Sequence, residues 1–99
     1  MFRIEYASEV EDDLANLTAR IRSRILDTID KQLVHEPCVE TKNRIMLIGL
    51  EHPWDFEQPA WELRIGMYRV FYYVDEQEQT VTIQAIRYKP PHKTTEEIL

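Results

Sequence analysis

The stretch Ala60–Val74, "AWELRIGMYRVFYYV", leaves the backbone few choices. Trp61, Leu63 and Ile65 alternate with Glu62 and Arg64. Tyr68, Val70, Tyr72 and Val74 alternate with Arg69, Phe71 and Tyr73. A period of two is the signature of a strand with one buried face. Between the runs stand Gly66 and Met67, and Gly first in a two-residue loop suits a type II′ hairpin turn. That turn sets the register: Ile65 with Tyr68, Arg64 with Arg69, Leu63 with Val70, Glu62 with Phe71, Trp61 with Tyr72. Every pair is face-consistent, and a slip of one residue would turn the apolar set outward. One pair is awkward. Arg64 faces Arg69, and like charges directly opposite each other destabilise a hairpin.

After the polar turn "DEQEQ", the run "TVTIQAIRY" reads as a third strand, with Val81, Ile83 and Ala85 apolar. Closing this hairpin at Gln77-Glu78 pairs Val74 with Val81, Tyr72 with Ile83, Val70 with Ala85 and Arg69 with Ile86. One face then collects Trp61, Leu63, Ile65, Val70, Tyr72, Val74, Val81 and Ile83 as a core. The other collects Arg64, Arg69, Phe71, Tyr73 and Tyr88, with Lys89 next in line.

The N-terminal half supplies the cover. "FRIEY" alternates as a short strand. Ser8 and Glu11 have capping-box spacing and start a helix near Glu9. Val10, Leu14 and Leu17 form its apolar stripe. Thr18 caps a second helix, in which Ile21, Ile25, Ile29 and Leu33 recur every four residues and Pro37 sets the stop. Between Pro37 and Pro59 the pattern weakens. "IMLIGL" is compatible with a buried strand or a packed loop, and "EHPWDFEQPA" reads as an ordered loop. Its Trp54 is either a lid on the core or an anchor for a partner. The sum is one α+β domain, residues 1–99, with a helical hairpin on one face of an antiparallel-rich sheet.

Charge and composition exclude several classes. The formal net charge is -6, which argues against a protein that coats nucleic acid indiscriminately. The acid excess lies in residues 1–40, with five Lys/Arg against nine Asp/Glu; residues 41–93 hold seven of each. A local basic patch on the sheet is therefore compatible with an acidic chain. No apolar run approaches the ~20 residues needed to span a bilayer. The N-terminus lacks the order of a secretory signal, so a cytoplasmic protein is expected. Cys38 is the one cysteine and reads as a small apolar filler. His35, His52 and His92 are scattered without ligand spacing, so neither metal nor cofactor is expected.

The exposed sheet face carries the candidate chemistry. Arg64, Arg69, Tyr88 and Lys89, with Lys93 nearby, gather cations and a phenol. Guanidinium groups bind phosphate bidentately, and exposed Phe71 and Tyr73 would stack on unpaired bases. The competing reading is a solvated sheet face in which Glu62 bridges to Arg64. Glu57 and Glu62 are a carboxylate pair of unfixed separation.

With these residues in view, the chain resembles the RelE/ParE superfamily of toxins from type II toxin–antitoxin systems. The resemblance runs through "FRIEYASEVEDDLANL", "ARIRSRILDTIDKQL" and "VETKNR", and above all through "PAWELRIGMYRVFYYVDEQEQTVTIQAIRYK". It implies a β-α-α-β-β-β fold and a cognate antitoxin as partner. For the RelE-like branch it implies a metal-independent endoribonuclease that cleaves mRNA on the ribosome. Carried over, Arg69 is the phosphate clamp and Lys89 an acid or charge stabiliser, with Tyr88 and Arg64 beside them. Lys42, Arg44, His92 and Lys93 are RNA contacts, and Glu57 or Glu62 is the general base. Two departures stand out: the tail "YKPPHKTTEEIL" lacks the C-terminal Tyr of many active relatives, and the chain is acidic. They keep two alternatives open. One is a ParE-like inhibitor of DNA gyrase without catalysis; the other is a member that only binds its antitoxin.

Overall fold

The computed structural model describes residues 1–49, 53–54 and 59–99. Along the chain run β1 (Arg3–Tyr6), α1 (Ser8–Ala15), α2 (Ala19–Leu33), β2 (Arg44–Leu47), β3 (Ala60–Ile65), β4 (Tyr68–Asp75), β5 (Thr80–Tyr88) and α3 (Thr95–Ile98). The strands form one sheet in the order β1-β5-β4-β3-β2. β1 lies parallel to β5, and the other neighbours are antiparallel. The expected α+β architecture holds. The run "IMLIGL" resolves to a strand as far as Leu47. Apart from Pro53, Trp54, Pro59 and Ala60, the loop expected over 51–60 lies outside the described residues. No described helix is long and apolar enough to cross a membrane.

The two long helices form a hairpin for local reasons. The Thr18 hydroxyl accepts from the Ile21 amide at 3.3 Å, as its position predicted. Arg22 then reaches back, donating to the Leu14 and Leu17 carbonyls at 2.9 Å each. That satisfies the acceptors left over at the end of α1 and folds α2 against it. The capping box expected at Ser8 and Glu11 does not form. The Ala7 amide is committed to the Ile83 carbonyl at 2.9 Å, so the chain enters the helix one residue early with Ala7 as N-cap. Ser8 donates to Glu9 instead, at 3.3 Å. Ile25, Ile29 and Leu33 press onto Leu63, Val70, Tyr72, Val81, Ile83 and Ile86 to make the core. Each such burial is worth about 1.5–3 kcal/mol before entropy is charged against it.

The first sheet hairpin keeps its predicted register residue for residue, from Ile65↔Tyr68 to Trp61↔Tyr72. Gly66 has a φ of 58°, and Met67 stays on the negative side, as a II′ turn requires. The second hairpin departs from expectation. Val74↔Val81 and Tyr72↔Ile83 pair as read, but a bulge between Phe71 and Tyr72 skips Gln84. Beyond it Phe71 meets Ala85, Val70 meets Ile86, Arg69 meets Arg87 and Tyr68 meets Tyr88. The bulge puts Ile86 into the core, where it is 5% exposed, in place of the Ala85 that the unbulged register would have put there.

The face away from the α1–α2 hairpin is also covered. Phe71 and Tyr73, expected in solvent, are 0% and 2% exposed. Trp54 packs over both, with ring centroids 5.7 and 6.5 Å away, and so covers this part of the sheet. The sequence reading also missed α3. Thr94 and Glu97 form a complete capping box there, through Glu97 N–H to Thr94 Oγ1 and Thr94 N–H to Glu97 Oε1. The T-x-x-E spacing was the available signal.

Candidate functional site

Strand alternation puts Arg64 of β3, Arg69 of β4 and Arg87 of β5 in one row, on the face turned away from the α1–α2 hairpin. The sequence predicted two arginines side by side; the bulge adds the third. Three adjacent guanidinium groups hold together because each has its own acceptor. Arg64 Nε lies 3.5 Å from Glu62 Oε1, a long contact that leaves the Arg64 side chain 45% exposed. Arg69 Nη1 curls onto its own turn and donates to the Gly66 and Tyr68 carbonyls at 2.8 Å each. Arg87 Nη1 donates to Asp13 Oδ2 at 3.1 Å. That same carboxylate oxygen accepts from the Ile86 amide at 3.0 Å, beyond the end of β1.

Arg69 is the most strained member electrostatically. Burial is the main cause that pulls its guanidinium below the ordinary arginine value; Glu62 opposes the shift and the neighbouring Arg64 adds to it. Its Nε is buried without a hydrogen-bond partner. An anion arriving on this face would relieve both deficits at once.

Sequence reasoning missed a fourth arginine. Arg24 of α2 lies against the β3–β4 turn from the other side, its Nη1 3.3 Å from where a Cβ on Gly66 would sit. Gly66 thus meets two demands, a left-handed φ and the close approach of a guanidinium. No signal short of tertiary packing marks Arg24 in the sequence. Lys89 joins at the same end, its amide donating to the Met67 carbonyl at 2.7 Å.

Other expected residues separate from this group. Tyr88 lies in the Ile65–Tyr68 row, so it is on the helix side of the sheet, edge-on to the Tyr68 ring at 5.5 Å and 53% exposed. The skipped residue Gln84 is the reason: past a bulge, alternation reverses. Arg44 does not face solvent. It is 7% exposed and donates from Nη1 to the Gln32 carbonyl at 2.7 Å and to the Glu36 carbonyl, tying the end of α2 to β2. Its cation there answers the negative end of the helix. Lys42, His92 and Lys93 are exposed on loops.

Glu62 is 1% exposed, with one oxygen near Arg64 and the other accepting from Thr95 Oγ1 of α3 at 2.7 Å. Glu57, its expected partner, lies outside the described residues. Among the described residues the candidate site is rich in charge-stabilising groups, and the carboxylate of Glu62 has both oxygens engaged.

Solved structures share this fold. The chain is similar to the RelE of the RelE–RelB complex from Pyrococcus horikoshii, at 24% identity and a TM-score of 0.69 over 94% of this chain and 98% of that one. It is similar to the Mycobacterium tuberculosis RelBE2 toxin–antitoxin complex at 21% identity and a TM-score of 0.65, covering 89% and 98%. The isolated Escherichia coli RelE toxin aligns with a TM-score of 0.70 at 13% identity, covering 98% and 94%. No curated protein matches the sequence. The family model for the ParE toxin of the type II toxin–antitoxin system parDE matches residues 4–89. With most of its length matched, the chain belongs to the RelE/ParE superfamily as a toxin of a type II toxin–antitoxin system.

Proposed function

We propose that this toxin is RelE-like in action: it is held in check by a cognate antitoxin and, when released in the cytoplasm, cleaves mRNA on the ribosome. The observation that carries the reading is the row Arg64–Arg69–Arg87, with Lys89 beside it, on a chain whose net charge is -6. RNA cleavage by the adjacent 2′-hydroxyl builds negative charge on the phosphate oxygens. Preplaced guanidinium groups stabilise that charge without reorganising. Arg69 stands mid-row with an unpartnered Nε, so it is the clamp. Arg64 and Arg87 flank it and fix the phosphate's orientation. Lys89, at the same end of the sheet, is the residue we assign to balance the charge that develops on the leaving oxygen.

A second reading, a ParE-like inhibitor that binds DNA gyrase without chemistry, is favoured by two specific features. Glu62 is buried with both oxygens engaged, and Tyr88 faces the other side of the sheet.

One pair of assays separates them. Overproduced without antitoxin, the parent chain should stop translation and leave gyrase supercoiling untouched. Arg69→Ala should lower mRNA cleavage by about 10²–10³-fold and restore growth. Inhibition of supercoiling with translation intact would replace this reading with the second.

A further inference from the structure

The opposite end of the sheet is built for a different visitor. Where α2 has ended, a cleft of about 620 Å³ opens beside the β4–β5 turn. Its apolar wall is Met46, Pro59, Trp61 and Val74, with Cys38 beside them, and its rim is Asp75, Glu76 and Gln77. Glu78 stands just past that rim. All four turn residues from Asp75 to Glu78 are exposed, and among the described residues none of the three acids enters a salt bridge. Asp75 does accept from the Glu78 amide at 3.0 Å, which orders the turn. So a hollow with one apolar wall sits next to negative charge that no salt bridge among the described residues neutralises.

We infer that this cleft docks a segment of the cognate antitoxin in which an apolar anchor side chain is flanked by Lys or Arg. The inference rests on the reading that an antitoxin holds this toxin. Charge selects the occupant. A basic flank gains from Glu76 and Glu78, and an acidic one is repelled. A second copy of this chain would bring the same acidic turn against itself. The volume lies in the range of sites that enclose an organic group, enough for a large aliphatic or aromatic side chain. The two ends of the sheet then divide the work: arginines at the β3–β4 end face a polyanion, and acids at the β4–β5 end hold a cationic partner.

Cys38 provides the readout, because it is the one cysteine and lines the cleft. The probe is a synthetic nonapeptide with a central Phe between two pairs of Arg, the remainder Gly. Saturating peptide should slow alkylation of Cys38 in the full chain by about tenfold, as expected for a buried anchor excluding reagent. Charge reversal with Glu76→Lys and Glu78→Lys, both on the exposed turn, should weaken this protection about tenfold or more. Raising salt from about 50 mM to about 500 mM should weaken it as well, because rim charges are screened.

No protection, equal protection by a peptide with Asp in place of Arg, or protection indifferent to charge reversal would each overturn the inference. So would Cys38 protection by self-association without peptide. The toxicity assay keeps the two claims apart. Failed protection beside Arg69-dependent toxicity overturns the docking surface and leaves the functional reading standing. Protection by the peptide in a chain without toxicity overturns the functional reading and supports the surface.

Discussion

The two hairpins of the sheet share β4 and differ in what determines them. β3–β4 is closed by two residues, and its register follows from Gly66 alone. β4–β5 starts in the register its turn suggests and then breaks it at Gln84. A tight turn acts locally, through backbone angles that only a few residues adopt. A bulge answers to distant demands. Here these are the apolar volume that Ile86 fills under the helices and the Asp13 carboxylate that takes the Ile86 amide beyond the end of β1. Missing the bulge misplaces the candidate site, since the bulge decides that Arg87, and not Ile86, stands opposite Arg69.

Inserting one residue after Ala85 tests this most severely. The shifted alternation turns Ile86 outward and Arg87 inward, so the variant should lose about 4 kcal/mol or fail to fold. Chemical denaturation measures it, and a variant as stable as the parent would show that the register past the bulge is incidental. Asp13→Ala comes next. It leaves the Ile86 amide without its side-chain acceptor and Arg87 without its carboxylate, at a cost of about 2 kcal/mol. Hydrogen exchange at the Ile86 amide should quicken, with the β3–β4 hairpin unchanged.

Gly66→Ala probes the local hairpin and should cost about 1–2 kcal/mol, from positive φ and crowding against Arg24 together. Adding Arg24→Ala should return the crowding part and leave the φ part, so the two variants together apportion the turn's demands.

The smallest effect is expected at the acidic end, in alkali. Burial, with the Glu76 carboxylate adding to it, raises the Cys38 thiol from its ordinary value near 9 to about 11. A raised thiol binds its proton more tightly in the folded chain. The stabilisation is full below pH 9 and is lost as pH rises towards 11. Cys38→Ala should flatten the stability curve across that window. An unchanged slope would assign the loss to Tyr73, whose hydroxyl burial pushes up to about 12, and to the still more buried Tyr72.

Much of the molecule was legible in its residues. The helical stripe at Ile21, Ile25, Ile29 and Leu33, the cap at Thr18 and the Gly66 turn are local codes, and each holds. What escaped is what two distant segments settle between them. Arg44 has the composition of a solvent-facing cation. It is buried because the carbonyls of Gln32, in the last turn of α2, and Glu36, just past it, need a donor. Phe71 and Tyr73 alternate onto a face that looks open until Trp54 closes it. Arg24 reaches the site only because α2 crosses the turn.

Asp13 carries one more consequence. β1 pairs with β5 only as far as Ile83, and past it α1 lies against β5, with its Asp13 carboxylate taking the Ile86 amide. Such a margin, left bare, is a template on which a neighbouring molecule can lay its own backbone. A chain stripped of that carboxylate should therefore fail first by assembling with its own kind, well before it melts.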